Sequence, residues 1–151
     1  MGSALRNCCP KLRKAAHQMR DNRLMDRIAQ SVSRAHRILV VTHVSPDGDA
    51  IGSLLGLGWL LAAAGQEPTL VCDDEIPEQY GWLPGSERIV RQGDGLYDLI
   101  ISLDCSDEWR MGRALERGSQ EIPLLNIDHH VTNTLFGSIN WIDPDSVATA
   151  Q

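Results

Sequence analysis

The sequence predicts an α/β domain, a mostly parallel sheet with helices on both faces. Short continuous apolar runs rich in β-branched residues, as strands buried on both faces would be, alternate with longer stretches of helical period. Gly, Pro and Asp punctuate the joints, and carboxylates and imidazoles fall just after several runs, where such a sheet gathers its ligands.

Residues 1–20 read as a basic N-terminal arm, or as a continuation of the helix that follows, leaving residues 21–151 as the domain proper. Leu24, Ile28, Val32 and Ala35 recur at helical spacing and predict an amphipathic helix from Asp21 to His36. Ile38-Leu39-Val40-Val41 is the first strand. Pro46, Gly48 and two Asp residues end it and open a helix from Ala50 to Ala64, stopped by Gly65. Thr69–Cys72 is the second strand, followed by a long connection, Asp73–Arg91, with a short helical turn. Asp98–Leu103 is the third strand, Glu108–Arg117 a helix ended by Gly118, Pro123–Ile127 the fourth strand and Ser138–Ile142 a fifth. No internal repeat or interdomain linker interrupts the series.

A chain of 151 residues can bury about two thirds of its unfolded surface, enough for one core. Its charge of -6 is uneven. Arg6, Lys11, Arg13, Lys14 and Arg20 sit in the first 20 residues without an acid, leaving nine basic against twenty acidic residues, -11, in the remainder. An acidic domain repels polyphosphates unless cations offset its carboxylates. Cys8 and Cys9 are adjacent, whereas Cys72 and Cys105 end apolar runs, so the four form no disulfide framework and imply a reducing cytoplasm. The most apolar segment, Ala50–Ala64, is about 15 residues and too short to span a bilayer, so no membrane association is expected.

His43, Asp47, Asp49, Asp104 and Asp128-His129-His130 are hard and borderline metal ligands on three loops, after the first, third and fourth strands. Taken singly, Asp47 or Asp49 ahead of a helix is an N-cap and Asp104 a turn residue. Independent caps and turns have no reason to meet two histidines at one sheet edge, so the set predicts a divalent-metal site, binuclear in form. Gly48 is expected to supply the tight turn that aims Asp47 and Asp49 inward. Asp104, isolated between the other ligand groups, is the candidate bridge. Asp73-Asp74-Glu75 also follows a strand but lacks a histidine, and it reads as solvated.

Val41-Thr42-His43-Val44-Ser45-Pro46-Asp47-Gly48-Asp49-Ala50-Ile51-Gly52-Ser53, Asp98–Asp104 and Asn126-Ile127-Asp128-His129-His130 resemble the first three motifs of the DHH phosphoesterase superfamily. Arg110-Met111-Gly112 and His129-His130-Val131-Thr132-Asn133 are similar to its nano-RNase and pAp-phosphatase branch, the DHH/DHHA1 proteins related to RecJ. The resemblance implies two Mn2+ ions, with Mg2+ or Co2+ as substitutes, and hydrolysis of short RNA oligonucleotides or of 3'-phosphoadenosine 5'-phosphate by a metal-activated water. It makes His43 and Asp47 ligands of one ion, Asp49 and His129 ligands of the other, and Asp104 the bridge. His130 would face the scissile phosphate with Asp128 orienting the imidazoles, and Ser45, Ser53 and Asn133 would be phosphate contacts or supports behind the ligands. A homodimer is one arrangement open to such a protein. The family's fourth-motif Asp and DHHA1 domain find no match before Gln151, so the expectation is an N-terminal fragment with weak activity of its own. A manganese-dependent inorganic pyrophosphatase, a cyclic or linear dinucleotide phosphodiesterase and a disabled metal- or nucleotide-binding module are the alternatives.

Overall fold

The computed structural model describes residues 10–114 and 122–151. They divide into two compact units, one ending at Arg34 and one running from Ala35 to Gln151. The described part of the first is a helix, α1, Pro10–Arg34. Leu24, Ile28 and Val32 are half-buried while most residues between them are exposed, as the helical spacing predicts. For residues 10–20 the helical continuation is therefore what is found, and residues 1–9 lie outside the described residues.

The second unit is built on five parallel strands: β1 Ile38–Val41, β2 Thr69–Val71, β3 Leu99–Leu103, β4 Leu124–Asp128 and β5 Ile139–Ile142. Their order in the sheet is β2-β1-β3-β4-β5. Every residue of β1 and of β3 is buried, which explains why both read as unbroken apolar runs instead of alternating ones. Leu39, Ile101 and Leu125 are essentially inaccessible, and each contributes roughly 1.5–3 kcal/mol by burial. The sheet is thus a stiff base for the loops that leave it.

Between β1 and β2 runs α2, Gly48–Ala63. Asp47 is its N-cap, with Oδ1 accepting from Asp49 N and Ala50 N, both at 3.0 Å. It ends through Gly65, whose φ of 84° lets the N–H groups of Gly65 and Gln66 turn back to Ala62 and Leu61. Gly58 sits where a Cβ would lie 2.8 Å from Leu70 Cδ1, so the absence of a side chain sets how closely α2 packs on β2.

Three expectations change. Among the described residues, the connection after β3 forms a short 3-10 helix, Glu108–Met111, capped by Asp107 and stopped at Gly112, whose φ is 60°. Arg113 N then turns to Asp73 Oδ2 at 2.8 Å, which takes the backbone off any longer helix; the end of the predicted helix lies outside the described residues. Gly48 is an ordinary first helical residue, and a Cβ there would meet the Tyr80 hydroxyl at 3.3 Å. The tight turn is made at Ser45 instead, with φ 54° and its N–H donated to Asp74 Oδ2 at 2.6 Å. Asp74 and Asp73 therefore brace the β1 and β3 loops and are not merely solvated.

Candidate metal centre

The strand order reverses direction between β1 and β3, and in open parallel sheets ligands bind at the carboxyl ends beside such a switch. Register does the rest. Val41 pairs with Ser102, and Leu103 with Ile127, so His43, Asp104 and Asp128 emerge side by side at one level. Thr42 Oγ1 donating to Leu103 O at 3.0 Å and Asp104 N donating to Ile127 O at 3.0 Å lock the three loops together. The buried polar residues Thr42, His43, Ser53, Ser102, Asp104, Asn126 and Asp128 cluster toward this edge, an arrangement an apolar core would not keep without a use for it.

Asp104 is the centre, its side chain 2 % exposed and its backbone in the left-handed region at φ 62°. Its Oδ2 lies 3.5 Å from His43 Nε2, and its Oδ1 lies 3.6 Å from His129 Nε2. Asp47 Oδ1 is 3.9 Å from His43 Nε2, and Asp49 Oδ2 is 3.6 Å from His129 Nε2. These separations are long for hydrogen bonds. They fall within the span open to two ligands of one ion, which at bond lengths of about 2.1 Å stand from roughly 3.0 Å apart at a right angle to roughly 4.2 Å when opposite. His43-Asp47-Asp104 and Asp104-His129-His130 are each close enough to hold an ion, and they share Asp104.

The tautomers agree with that use. His43 Nδ1 lies 2.8 Å from Val44 O and His129 Nδ1 3.2 Å from Ser146 O; a carbonyl only accepts, so both Nδ1 atoms carry hydrogen and each neutral ring turns its Nε2 lone pair to the carboxylates. Burial lowers the His43 pKa, but the Asp104 carboxylate and the Val44 carbonyl outweigh it and hold it above the usual imidazole value. Burial likewise raises the Asp104 carboxyl, yet His43, the Thr149 hydroxyl and the His130 ring together bring it below the ordinary range. The surroundings favour positive charge between His43 and Asp104, and oxygen with imidazole donors fits manganese, magnesium or zinc.

His130 is placed differently from His129. Its Nδ1 is 2.7 Å from Asp128 Oδ1, so that nitrogen is taken although it lies 3.6 Å from Asp104. Its side chain is 42 % exposed, and its Nε2 is not engaged by the contact with Asp128. Asp128, with no side-chain exposure, also accepts from His129 N at 2.8 Å and from Asn133 Nδ2 at 2.6 Å. A carboxylate so saturated orients its neighbours.

Of the two readings open for Asn133 and Ser53, phosphate contact or support behind the ligands, their hydrogen bonds favour the second. Asn133 gives Nδ2 to Asp128 and to Cys105 O, and its Oδ1 accepts from Asn126 Nδ2 and Leu135 N, which leaves no group for a phosphate. Ser53 is buried and donates Oγ to Asp49 Oδ1 at 3.1 Å. Both are positioning residues. Sequence reasoning missed Thr149, whose hydroxyl donates to Asp104 Oδ1 at 2.8 Å and whose N–H donates to Asp49 Oδ2 at 2.8 Å. Its only sequence signal is a run of small residues after Pro144-Asp145.

A parallel α/β sheet with two overlapping groups of carboxylates and imidazoles sharing one buried Asp defines a class, proteins with a candidate metal site at a sheet edge. The chain belongs to the DHH family: the model of that family's N-terminal domain matches residues 37–151. Among curated proteins it is 39% identical over 116 residues to the bifunctional oligoribonuclease and PAP phosphatase NrnA of Thermus thermophilus, covering 76% of this chain and 34% of that protein. Among solved structures it is similar to an exopolyphosphatase-related protein from Bacteroides fragilis, with TM-score 0.76 and 28% identity over 85% of this chain and 41% of that one. The chain thus spans about a third of the length of the curated relative it matches. No helix among the described residues is long and apolar enough to cross a membrane.

Proposed function

We propose that the chain is the metal-binding part of a phosphoesterase acting on short oligoribonucleotides, on 3'-phosphoadenosine 5'-phosphate, or on both, with two Mn2+ ions as cofactor. The observation that carries the reading is Asp104, which turns one oxygen to His43 and the other to His129. His43 and Asp47 would hold one ion, Asp49 and His129 the other, and Asp104 both. When bound, such a pair supplies an activated water near neutral pH and offsets charge developing on the phosphoryl oxygens.

The chain's own residues do the remaining work. Asp128 fixes the His130 ring through Nδ1 and so presents Nε2 to the phosphate. Asn133 holds Asp128 against rotation. Trp109, Val131, Leu135 and Val147 are exposed on the segments that follow β3, β4 and β5. Exposed apolar side chains on these loops favour a substrate with a nucleobase over bare pyrophosphate. Cys72 and Cys105 are free and buried, in keeping with a reducing cytoplasm.

The test is phosphate or mononucleotide release from a short oligoribonucleotide, from 3'-phosphoadenosine 5'-phosphate and from pyrophosphate, each with Mn2+ and with chelator. Manganese-dependent turnover of either nucleotide, lost in His130→Ala, is expected. Turnover of pyrophosphate alone would overturn the reading.

A further inference from the structure

We infer that the segment after β5, and Thr149 above all, is a positioning arm for one half of the metal centre. The inference rests on the two-ion reading above. Four contacts from this segment reach the ligands from one side. Ser146 O receives the His129 Nδ1 hydrogen at 3.2 Å, which directs Nε2 at Asp49 and Asp104. The N–H groups of Thr149 and Ala150 donate to Asp49 Oδ2 and Oδ1 at 2.8 and 3.3 Å. The Thr149 hydroxyl donates to Asp104 Oδ1 at 2.8 Å, the oxygen that faces His129.

The arm is itself braced. Asp143 takes its N–H to Asp128 O at 3.0 Å and accepts from Asp145 N and Ser146 Oγ at 3.1 and 3.0 Å, which ties the turn to the end of β4. The other half of the centre receives no contact from it among those described. His43 is set by the Val44 carbonyl, and Asp47 by the first turn of α2. Asp49 Oδ2 and Asp104 Oδ1 each accept one donor from the arm and keep a lone pair for a cation, whereas Asp49 Oδ1 is filled by Ser53 Oγ and Ala150 N. The arm therefore organises the Asp49-His129 side, and the His43-Asp47 side forms without it.

Calorimetric titration of the metal-free chain with Mn2+ tests this, alongside the electron paramagnetic resonance of the manganese pair. Thr149→Val should weaken the second ion about 10–100-fold, the usual effect of losing a group that orients a ligand, keep the first, and remove the coupled-pair signal at limiting metal. Thr149→Ser keeps the hydroxyl and should restore both. Circular dichroism checks that both variants are folded. Unchanged binding of both ions in Thr149→Val, or equal weakening of the two, overturns the inference. Failure of the unsubstituted chain to bind two ions overturns the underlying metal reading instead.

Discussion

Asp104→Asn separates the bridge from every other part of the centre. Asn matches Asp in shape, tolerates the left-handed backbone at this position and still accepts from the Thr149 hydroxyl, so the metal-free variant should melt within about 1 kcal/mol of the parent. With metal the two diverge. An ion at 100 times its dissociation constant stabilises by about 2.7 kcal/mol, which for a chain of this size raises the melting temperature by roughly 5–11 °C per site. Losing a charged ligand shared by both ions should cost at least the roughly 100-fold that losing an outlying partner can cost. The same metal concentration then stands near one dissociation constant and contributes only about 0.4 kcal/mol, or 1–2 °C. Melting followed by circular dichroism, with Mn2+ and with chelator, measures it. His130→Ala is the control, because its Nδ1 is spent on Asp128; it should keep the full metal shift and lose turnover. A parent-like shift in Asp104→Asn, or a lost shift in His130→Ala, would refute the assignment of Asp104 as bridge and His130 as a substrate group.

Other consequences follow from packing and charge. Gly58→Ala drives a methyl to 2.8 Å from Leu70 and should cost about 1–3 kcal/mol, whereas Gly56→Ala, with nothing within 4 Å, should gain about 0.5–1 kcal/mol by helix propensity; denaturant melts distinguish them. Asn133→Ala strips a donor from the buried Asp128 and should cost about 1–3 kcal/mol in melts and lower kcat with little change in KM, where a lost phosphate contact would raise KM. At Asp98, slight burial raises the carboxyl pKa, but the N–H groups of His36 and Arg37 outweigh it and bring it below 3.8. A lowered folded pKa gives stability that is full above the unfolded value and lost as pH falls through the folded one. Melts from pH 6 to 2 should therefore fall less steeply in Asp98→Asn; parallel curves would refute the linkage.

The strands and the ligand types were legible because both depend on side chains. A short apolar run rich in β-branched residues suits a strand of a covered sheet, and β1 and β3 are buried at every residue. What escaped depends on the main chain. The N–H of Thr149 that reaches Asp49 is a group any residue but proline carries, so no letter announces it, and the two residues lie 100 positions apart. The turn assigned to Gly48 belongs to Ser45 because Asp74, on a different loop, receives the Ser45 N–H there. Asn133 has the chemistry to bind a phosphate; only the register of β3 against β4, which brings Cys105 O and Asp128 within its reach, shows that its amide is already spent.

The left-handed backbone at Asp104 also governs how this position can vary. Of the residues one base change away from an Asp codon, Asn, His and Gly accept such a backbone readily but surrender the carboxylate. Glu keeps the charge, yet it is less tolerant of that conformation and is one methylene too long for the space between His43 and His129. No single mutational step preserves both properties, so the proposed bridging position has no conservative neighbour, and each such substitution is expected to lose metal-dependent turnover.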